Sequence, residues 1–325
     1  VHGSVRSVGD PSVGGGAFLL AAADRLTGRP SSVVERLVGC DVDPLAVATT
    51  ESALALWSRG HRPRPGAIRV ADFLEPVPFD GVRPDVVVGN PPFQSQLRRR
   101  TARGLGGHQR RRTALEGLVG AYTDEALVFL AAAVAAAPEG GVVALVLPES
   151  AMGSRDGEAI RAEVDRVAPM RAVWFGRGDE FGAGVRTWAP VVGRGPADTD
   201  RITVVPPDGA AAGGTTLPRP HGGRWSALLA ERAGVPRADV VSAGVLGDVA
   251  EATAGFRDEY YALAGAVVED SRGRRPVVTT GLIDPGCSLW GRRPARIAKR
   301  SWRRPGLDPD RVDAPRVRAW LEQLS

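Results

Sequence analysis

Residues 86–93 read Val-Val-Val-Gly-Asn-Pro-Pro-Phe, and this stretch limits the folds open to the chain more than any other. Its apolar half reads as a buried strand, and two prolines end it. Proline fixes φ and lacks an N–H, so neither Pro91 nor Pro92 can extend a ladder. Each also pushes the residue before it into extended backbone. The strand therefore stops at Asn90 in a stiff shelf that carries acceptors. These are the Asn90 side-chain oxygen and the carbonyls of Asn90 and Pro91, with the ring of Phe93 nearby. Such a shelf can accept both protons of an –NH2 group on a flat heterocycle while the ring stacks on its face. A plain strand ending in a Pro-rich turn reads the same way, so the stretch needs company.

Around it the chain alternates short β-type runs with helical patterns, the rhythm of a parallel α/β sheet. Strands are predicted up to Asp10 and over 36–41, 67–71, 85–89, 141–147, 170–175 and 186–192. Helices are predicted over 16–25, 44–57, 122–136 and 157–167, with Asp43 as N-cap and Pro44 as first helical residue of the second. The composition shifts near residue 195. The expected organisation is a catalytic domain over 1–195, a Gly/Pro-rich linker over 196–220 holding one short strand at 201–205, and a basic region over 221–325.

No apolar run approaches the ~18 residues of a membrane span, and the first residues lack the apolar core of a signal peptide. Cys40 and Cys287 are isolated and read as reduced thiols; the four His residues form no cluster, so no metal is expected. A cytoplasmic protein is the expectation. Net charge is +5, which favours a polyanionic partner weakly. Lys299 is the only lysine, an Arg bias that tracks genome composition, so the placement of Arg says more than its abundance.

Three further strand ends carry chemistry. After Gly9-Asp10 comes Pro11-Ser12-Val13-Gly14-Gly15-Gly16, a glycine-rich turn that lets backbone approach a ligand, or a flexible surface turn. The second strand ends on Asp41, whose carboxylate suits ribose hydroxyls, or is a solvated acid at a strand end. The third leads into Asp72-Phe73, where the acid can accept from an adenine amino group beside a ring, or is an ordinary turn Asp. All lie at carboxyl ends of successive strands, where open α/β sheets bind ligands.

The set Asp10-Pro11-x-x-Gly14-x-Gly16-x-Phe18-Leu19, Gly39-x-Asp41-x-Asp43-Pro44, Ala71-Asp72-Phe73 and Asn90-Pro91-Pro92-Phe93 resembles the S-adenosylmethionine-dependent adenine-N6 DNA methyltransferases. The motif order is similar to that of their gamma class, which includes TaqI-type enzymes of restriction–modification. The resemblance covers about residues 8–195; beyond them it rests on position and on stretches such as Thr280-Gly281-Leu282-Ile283. It implies a class I methyltransferase fold, a Rossmann-like doubly wound and mostly parallel sheet, followed by a basic target-recognition domain. It implies S-adenosyl-L-methionine as cofactor. Asp10 would lie at its methionine end, Gly14 and Gly16 would let the loop curl round it, Asp41 would hold the ribose, and Asp72 with Phe73 would meet its adenine. Asn90 and Pro91 would bind the target N6 amino group in the shelf that Pro92 completes, and Phe93 would stack on the extruded base.

Two Arg groups are placed to meet DNA. One follows the shelf: Arg98, Arg99, Arg100, Arg103, Arg110, Arg111 and Arg112, with no acid between them. The other includes Arg292, Arg293, Arg296, Lys299, Arg300, Arg303 and Arg304, with Trp290 and Trp302 interleaved. Solvated basic surfaces with core tryptophans are the competing reading. Trp188 reads as core, with packing on the target base as the other option. Double-stranded DNA is the expected partner, a restriction endonuclease a further one. An RNA or glutamine amino-group methyltransferase, or a shortened inactive DNA-binding homologue, stays open. Only nine residues precede Asp10 and the chain stops soon after its last basic stretch, so a recognition region that is incomplete is an expectation too.

Overall fold

Ten short runs of β-formers join in one sheet. A computed structural model describes residues 5–75, 77–93, 118–119, 123–178, 185–206, 215–235, 244, 248–249, 259–269, 275–284 and 286–323. The chain forms two compact units, Val1–Arg237 and Ala238–Ser325.

The first unit holds β1 (Val8–Asp10), β2 (Leu37–Asp41), β3 (Ile68–Val70), β4 (Val86–Gly89), β5 (Val142–Leu145), β6 (Leu147–Pro148), β7 (Met170–Phe175), β8 (Thr187–Gly193), β9 (Arg201–Val205) and β10 (Thr216–Pro218). Their order is β10-β9-β7-β8-β5-β4-β1-β2-β3, with β6 paired to β8 off that path. β1 pairs in parallel with β2 and β4, and the parallel ladder runs on to β3 and β5. β8 lies antiparallel between β5 and β7, and β10 antiparallel to β9.

Helices α1 (Ala17–Arg25), α2 (Pro30–Val34), α3 (Pro44–Trp57), α4 (Glu125–Ala136) and α5 (Glu158–Val167) connect the strands. Side chains alternate across a strand, and β2 shows what that does. Leu37 belongs to a cluster with Leu19, Val34 and Leu54 from α1, α2 and α3, while Val38 and Cys40 belong to a second cluster with Leu127 and Leu130 of α4. The sheet is thus wound on both faces, as the alternating β and α patterns predict. α4 is apolar on every side and is buried along almost its whole length, as an all-round apolar helix must be. Asp43 caps α3 by accepting from the Leu45 N–H at 2.9 Å, and Asp124 caps α4 from Ala126.

The 196–220 segment is not a linker throughout. β9 and β10 lie within it and extend the sheet, and Gly195 (φ +101°) turns the chain between β8 and β9. Trp225 beyond it is fully buried, meets Trp188 edge-on at 5.5 Å and donates to Asp165 at 2.8 Å. The Gly and Pro signals mark turns between strands, and the first unit therefore reaches residue 237.

The second unit has its own core, built from Leu263, Val267, Leu282, Ile297, Leu307 and Val317 among others. β11 (Val267–Glu269) and β12 (Arg275–Pro276) flank β17 (Pro305–Leu307), β13 (Ile283–Asp284) pairs with β14 (Cys287–Ser288), and β15 (Ala295–Ile297) pairs with β16 (Arg300–Trp302) in a hairpin. Ala298 and Lys299 turn that hairpin with φ of +51° and +64°, the left-handed pair a two-residue I′ connection needs. No helix of the described residues is long and apolar enough to cross a membrane.

Candidate active site

Four neighbouring parallel strands, β4-β1-β2-β3, bring their carboxyl ends side by side. Asn90 follows β4, Asp10 ends β1, Asp41 ends β2 and Asp72 follows β3 by two residues. The fold therefore gathers along one sheet edge the four positions singled out in the sequence.

The loop after β1 is laced down by its own backbone. The Ser12 N–H donates to Asp10 Oδ1 at 2.9 Å, Val13 N–H to the Cys40 carbonyl at 3.1 Å and Gly14 N–H to Asp41 Oδ2 at 3.0 Å. Gly14 (φ +50°) and Gly16 (φ +83°) take backbone conformations that a side chain disfavours, and Gly16 leads directly into α1. The Thr50 hydroxyl of α3 donates to the Gly14 carbonyl at 3.0 Å. Asp41 also accepts from the Asp43 N–H at 3.0 Å, so each of its oxygens holds one backbone donor and keeps a lone pair for a ligand. Asp72 Oδ1 accepts from Leu74 N–H at 2.9 Å in a tight turn.

Asp10 is the most perturbed acid of the group. It is buried, its Oδ2 has no hydrogen-bond partner, and burial lifts its carboxyl to about 7; the Ser12 bond opposes that rise and the nearby Asp41 charge adds to it. The room for it comes from Gly89: a Cβ there would stand 2.6 Å from Asp10 Oδ1 and 2.9 Å from Pro11 Cδ. On the shelf itself, Asn90 Oδ1 is shielded and unpartnered, and the Ser12 hydroxyl donates to the Asn90 main-chain carbonyl at 3.1 Å. One of the three acceptors read from the sequence is thus already engaged. Pro91 is buried, Pro92 exposed, and Phe93 is half-buried against the α4-side core.

Phe73 departs from expectation. Its ring is fully buried, 5.5 Å from Phe129 and 5.3 Å from Phe79, so it is a core ring and presents no face to a ligand. Trp188 is core as well, its Nε1–H spent on the Pro148 carbonyl at 3.2 Å. Arg98, Arg99, Arg100, Arg103, Arg110, Arg111 and Arg112 lie outside the described residues. Arg296, Lys299 and Arg300 are exposed on the β15–β16 hairpin of the second unit, where Trp302 and Trp290 are tied to backbone carbonyls at 3.1 and 2.8 Å. Cys40 is buried, Cys287 exposed, and neither is in a disulfide.

Sequence reasoning missed Ser12, Thr50 and Gly89. Gly89 had a signal, a glycine where a strand meets a turn, which marks close backbone approach. Ser12 and Thr50 had none, because their partners lie 78 and 36 residues away.

The sequence model of the N-6 DNA methylase family matches residues 2–167. The chain belongs to that family. Every position read above as binding cofactor or amino group falls inside the matched stretch of this methylase, and its sheet has the class I methyltransferase arrangement. Solved structures resemble it in fold. The DrdV–DNA complex is 17% identical over 69% of this chain and 28% of its own, with a TM-score of 0.52. A nuclease-deletion mutant of the type ISP restriction–modification enzyme LlaGI, bound to a DNA substrate mimic, is 12% identical over 67% and 24%, also at 0.52. A type I restriction–modification methyltransferase subunit from Streptococcus thermophilus is 16% identical over 71% and 48%, at 0.49. The methylase chain thus spans less than half the length of each of these three structures. No curated protein matches it by sequence.

Proposed function

We propose that this methylase transfers a methyl group from S-adenosylmethionine to the N6 amino group of adenine in double-stranded DNA, in a restriction–modification setting. The observation that carries the reading is the pair of unpartnered, shielded side-chain oxygens, Asp10 Oδ2 and Asn90 Oδ1, at adjoining ends of β1 and β4. Buried acceptors without donors are costly unless a ligand supplies them.

The residues fit the cofactor. The Asp10–Gly16 loop has the positive-φ glycines of a close-approach turn, Asp10 has a spare oxygen that would serve the methionine end, Asp41 keeps lone pairs that would hold the ribose, and Asp72 would accept from the adenine amino group. When bound, S-adenosylmethionine supplies an already activated methyl group. The remaining chemistry falls to the shelf. An adenine amino nitrogen is a poor nucleophile because its lone pair is delocalised into the ring. Asn90 Oδ1 and the Pro91 carbonyl accept its two protons and favour the pyramidal nitrogen of the transition state, and little rearrangement is needed because Pro91 and Pro92 fix their own φ. Orientation does the rest. The target base leaves the duplex at a cost of a few kcal/mol, partly regained by stacking on Phe93. Arg98–Arg100 and Arg110–Arg112, and in the second unit Arg296, Lys299 and Arg300, supply phosphate contacts. The recognition role belongs to the second unit, and a restriction endonuclease is the further partner.

The test is single-molecule sequencing of plasmid from a methylation-free host that expresses the chain or its Asn90→Ala form. N6-methyladenine at one recurring motif, absent with Asn90→Ala, is expected. Unmodified DNA from a host producing folded, cofactor-binding protein would overturn the DNA reading.

A further inference from the structure

Two prolines create a problem that the loop after β1 solves. The Gly89 carbonyl receives the Val146 N–H at 2.9 Å, the last such bond of the β4–β5 ladder. The carbonyl of Asn90 comes next, and Pro91 and Pro92 bring no N–H to that side of the turn. That carbonyl is the only hydrogen-bonding group of the Asn90–Pro91 peptide, and it would lack a partner if no donor reached it from elsewhere. The Ser12 hydroxyl donates to it at 3.1 Å, from a residue whose own N–H is held by Asp10 Oδ1 at 2.9 Å. Two residues further on, the Gly14 N–H is held by Asp41 Oδ2 at 3.0 Å. One short loop is therefore tied at Asp41 to the ribose side of the cofactor site and at Ser12 to the shelf.

We infer that Ser12 is a positioning residue: its hydroxyl joins the cofactor loop to the shelf and sets the orientation of the Asn90–Pro91 peptide that receives the target amino group. The inference rests on the shelf reading given above. The Asn90 side chain leaves the chain at one end of that peptide and the Pro91 carbonyl follows its other end, so turning the plane about ψ of Asn90 moves one acceptor relative to the other. Ser12 itself need touch neither substrate nor cofactor. A filled cofactor loop firms the shelf through Ser12, and an empty one leaves it freer.

Two variants separate this role from a merely structural one. Ser12→Ala removes the donor; Ser12→Thr keeps a hydroxyl on the same atom, and Ser12 is not among the positive-φ residues, so a β-branched side chain is allowed. Full-length protein is titrated with S-adenosylhomocysteine by calorimetry, and amide hydrogen exchange of the peptide covering residues 85–93 is followed with and without that ligand. In the wild type and Ser12→Thr, the ligand is expected to slow exchange at this peptide. In Ser12→Ala the protection is expected to vanish while ligand affinity stays within about twofold, and the single-turnover methylation rate to fall about 10- to 100-fold with KM for DNA little changed. Equal protection in Ser12→Ala and wild type overturns the inference, as does loss of ligand affinity in parallel with rate, or failure of Ser12→Thr to restore protection. The exchange result does not depend on the substrate. Protection that needs the hydroxyl, in a chain that leaves DNA unmethylated, sinks the methylase reading and keeps the link; methylated DNA with protection indifferent to Ser12 does the reverse.

Discussion

Asp10 and Gly89 occupy one another's space, and that decides how each can be changed. The folded pKa of Asp10 lies above the ordinary carboxylate value, so the folded chain holds this proton more tightly than the unfolded chain does. Ionising Asp10 therefore removes stability as pH rises from about 4 to about 7, and the deficit stays constant above that. Asp10→Asn carries no such deficit. Its stability relative to wild type is expected to grow between about pH 4 and about pH 7 in urea denaturation and to level off above that, and a difference independent of pH would contradict the burial of this carboxyl. If the proposed S-adenosylmethionine binds here, its cationic groups favour the ionised form, so its affinity is expected to rise with pH up to about 7 and its binding to release a proton below it, which calorimetry in buffers of different ionisation heat detects. Gly89→Ala forces a methyl group onto the Asp10 carboxylate, a clash expected to cost about 1–3 kcal/mol of stability. These side-chain meetings were hidden in the sequence because they join positions 79 residues apart. What could be read there was the type of residue at each strand end and the backbone constraint of Pro91, Pro92 and the loop glycines, all of which are local matters.

At the level of elements, reading worked where a pattern had a local cause. The strand over 170–175 and the helix over 44–57 fall where period and capping put them, because Asp43-Pro44 is a start signal that needs no tertiary help. Helix α2, five residues long, left no periodic trace. An aromatic beside a strand-end Asp looks the same in sequence whether it faces a ligand or the core; for Phe73 the rings of Phe79 and Phe129 decide for the core. Gly and Pro mark a turn between strands as readily as a linker, so β9 and β10 are hard to tell from a linker in the sequence. α4 carries much of the packing on its face of the sheet. Leu130→Ala, at a fully buried position, is expected to lower unfolding free energy by about 2–5 kcal/mol with an unchanged denaturant slope. A loss under about 1 kcal/mol would mean that α4 is not the core element described.

Considered whole, the molecule divides its tasks: the first unit holds the strand-end site, and the second has a core of its own and a basic hairpin. If that hairpin contacts phosphates, DNA affinity falls with salt, and each of Arg296→Ala and Arg300→Ala reduces the slope of log K against log salt by about 1. An unchanged slope in both would remove the hairpin from the DNA-binding surface. The placement of β8 has a consequence for how the chain is made. It lies between β5 and β7 yet follows both in sequence. On the ribosome, the half-sheet β3-β2-β1-β4-β5, with all four strand-end residues of the site, can assemble once residue 145 has emerged. The outer edge of β5 then waits uncovered for residues 187–193, which at about 5–20 residues per second is an interval of roughly 2–10 s. During that time the nascent chain carries all four strand-end residues beside an open β-edge, the kind of edge on which strands of other chains can pair.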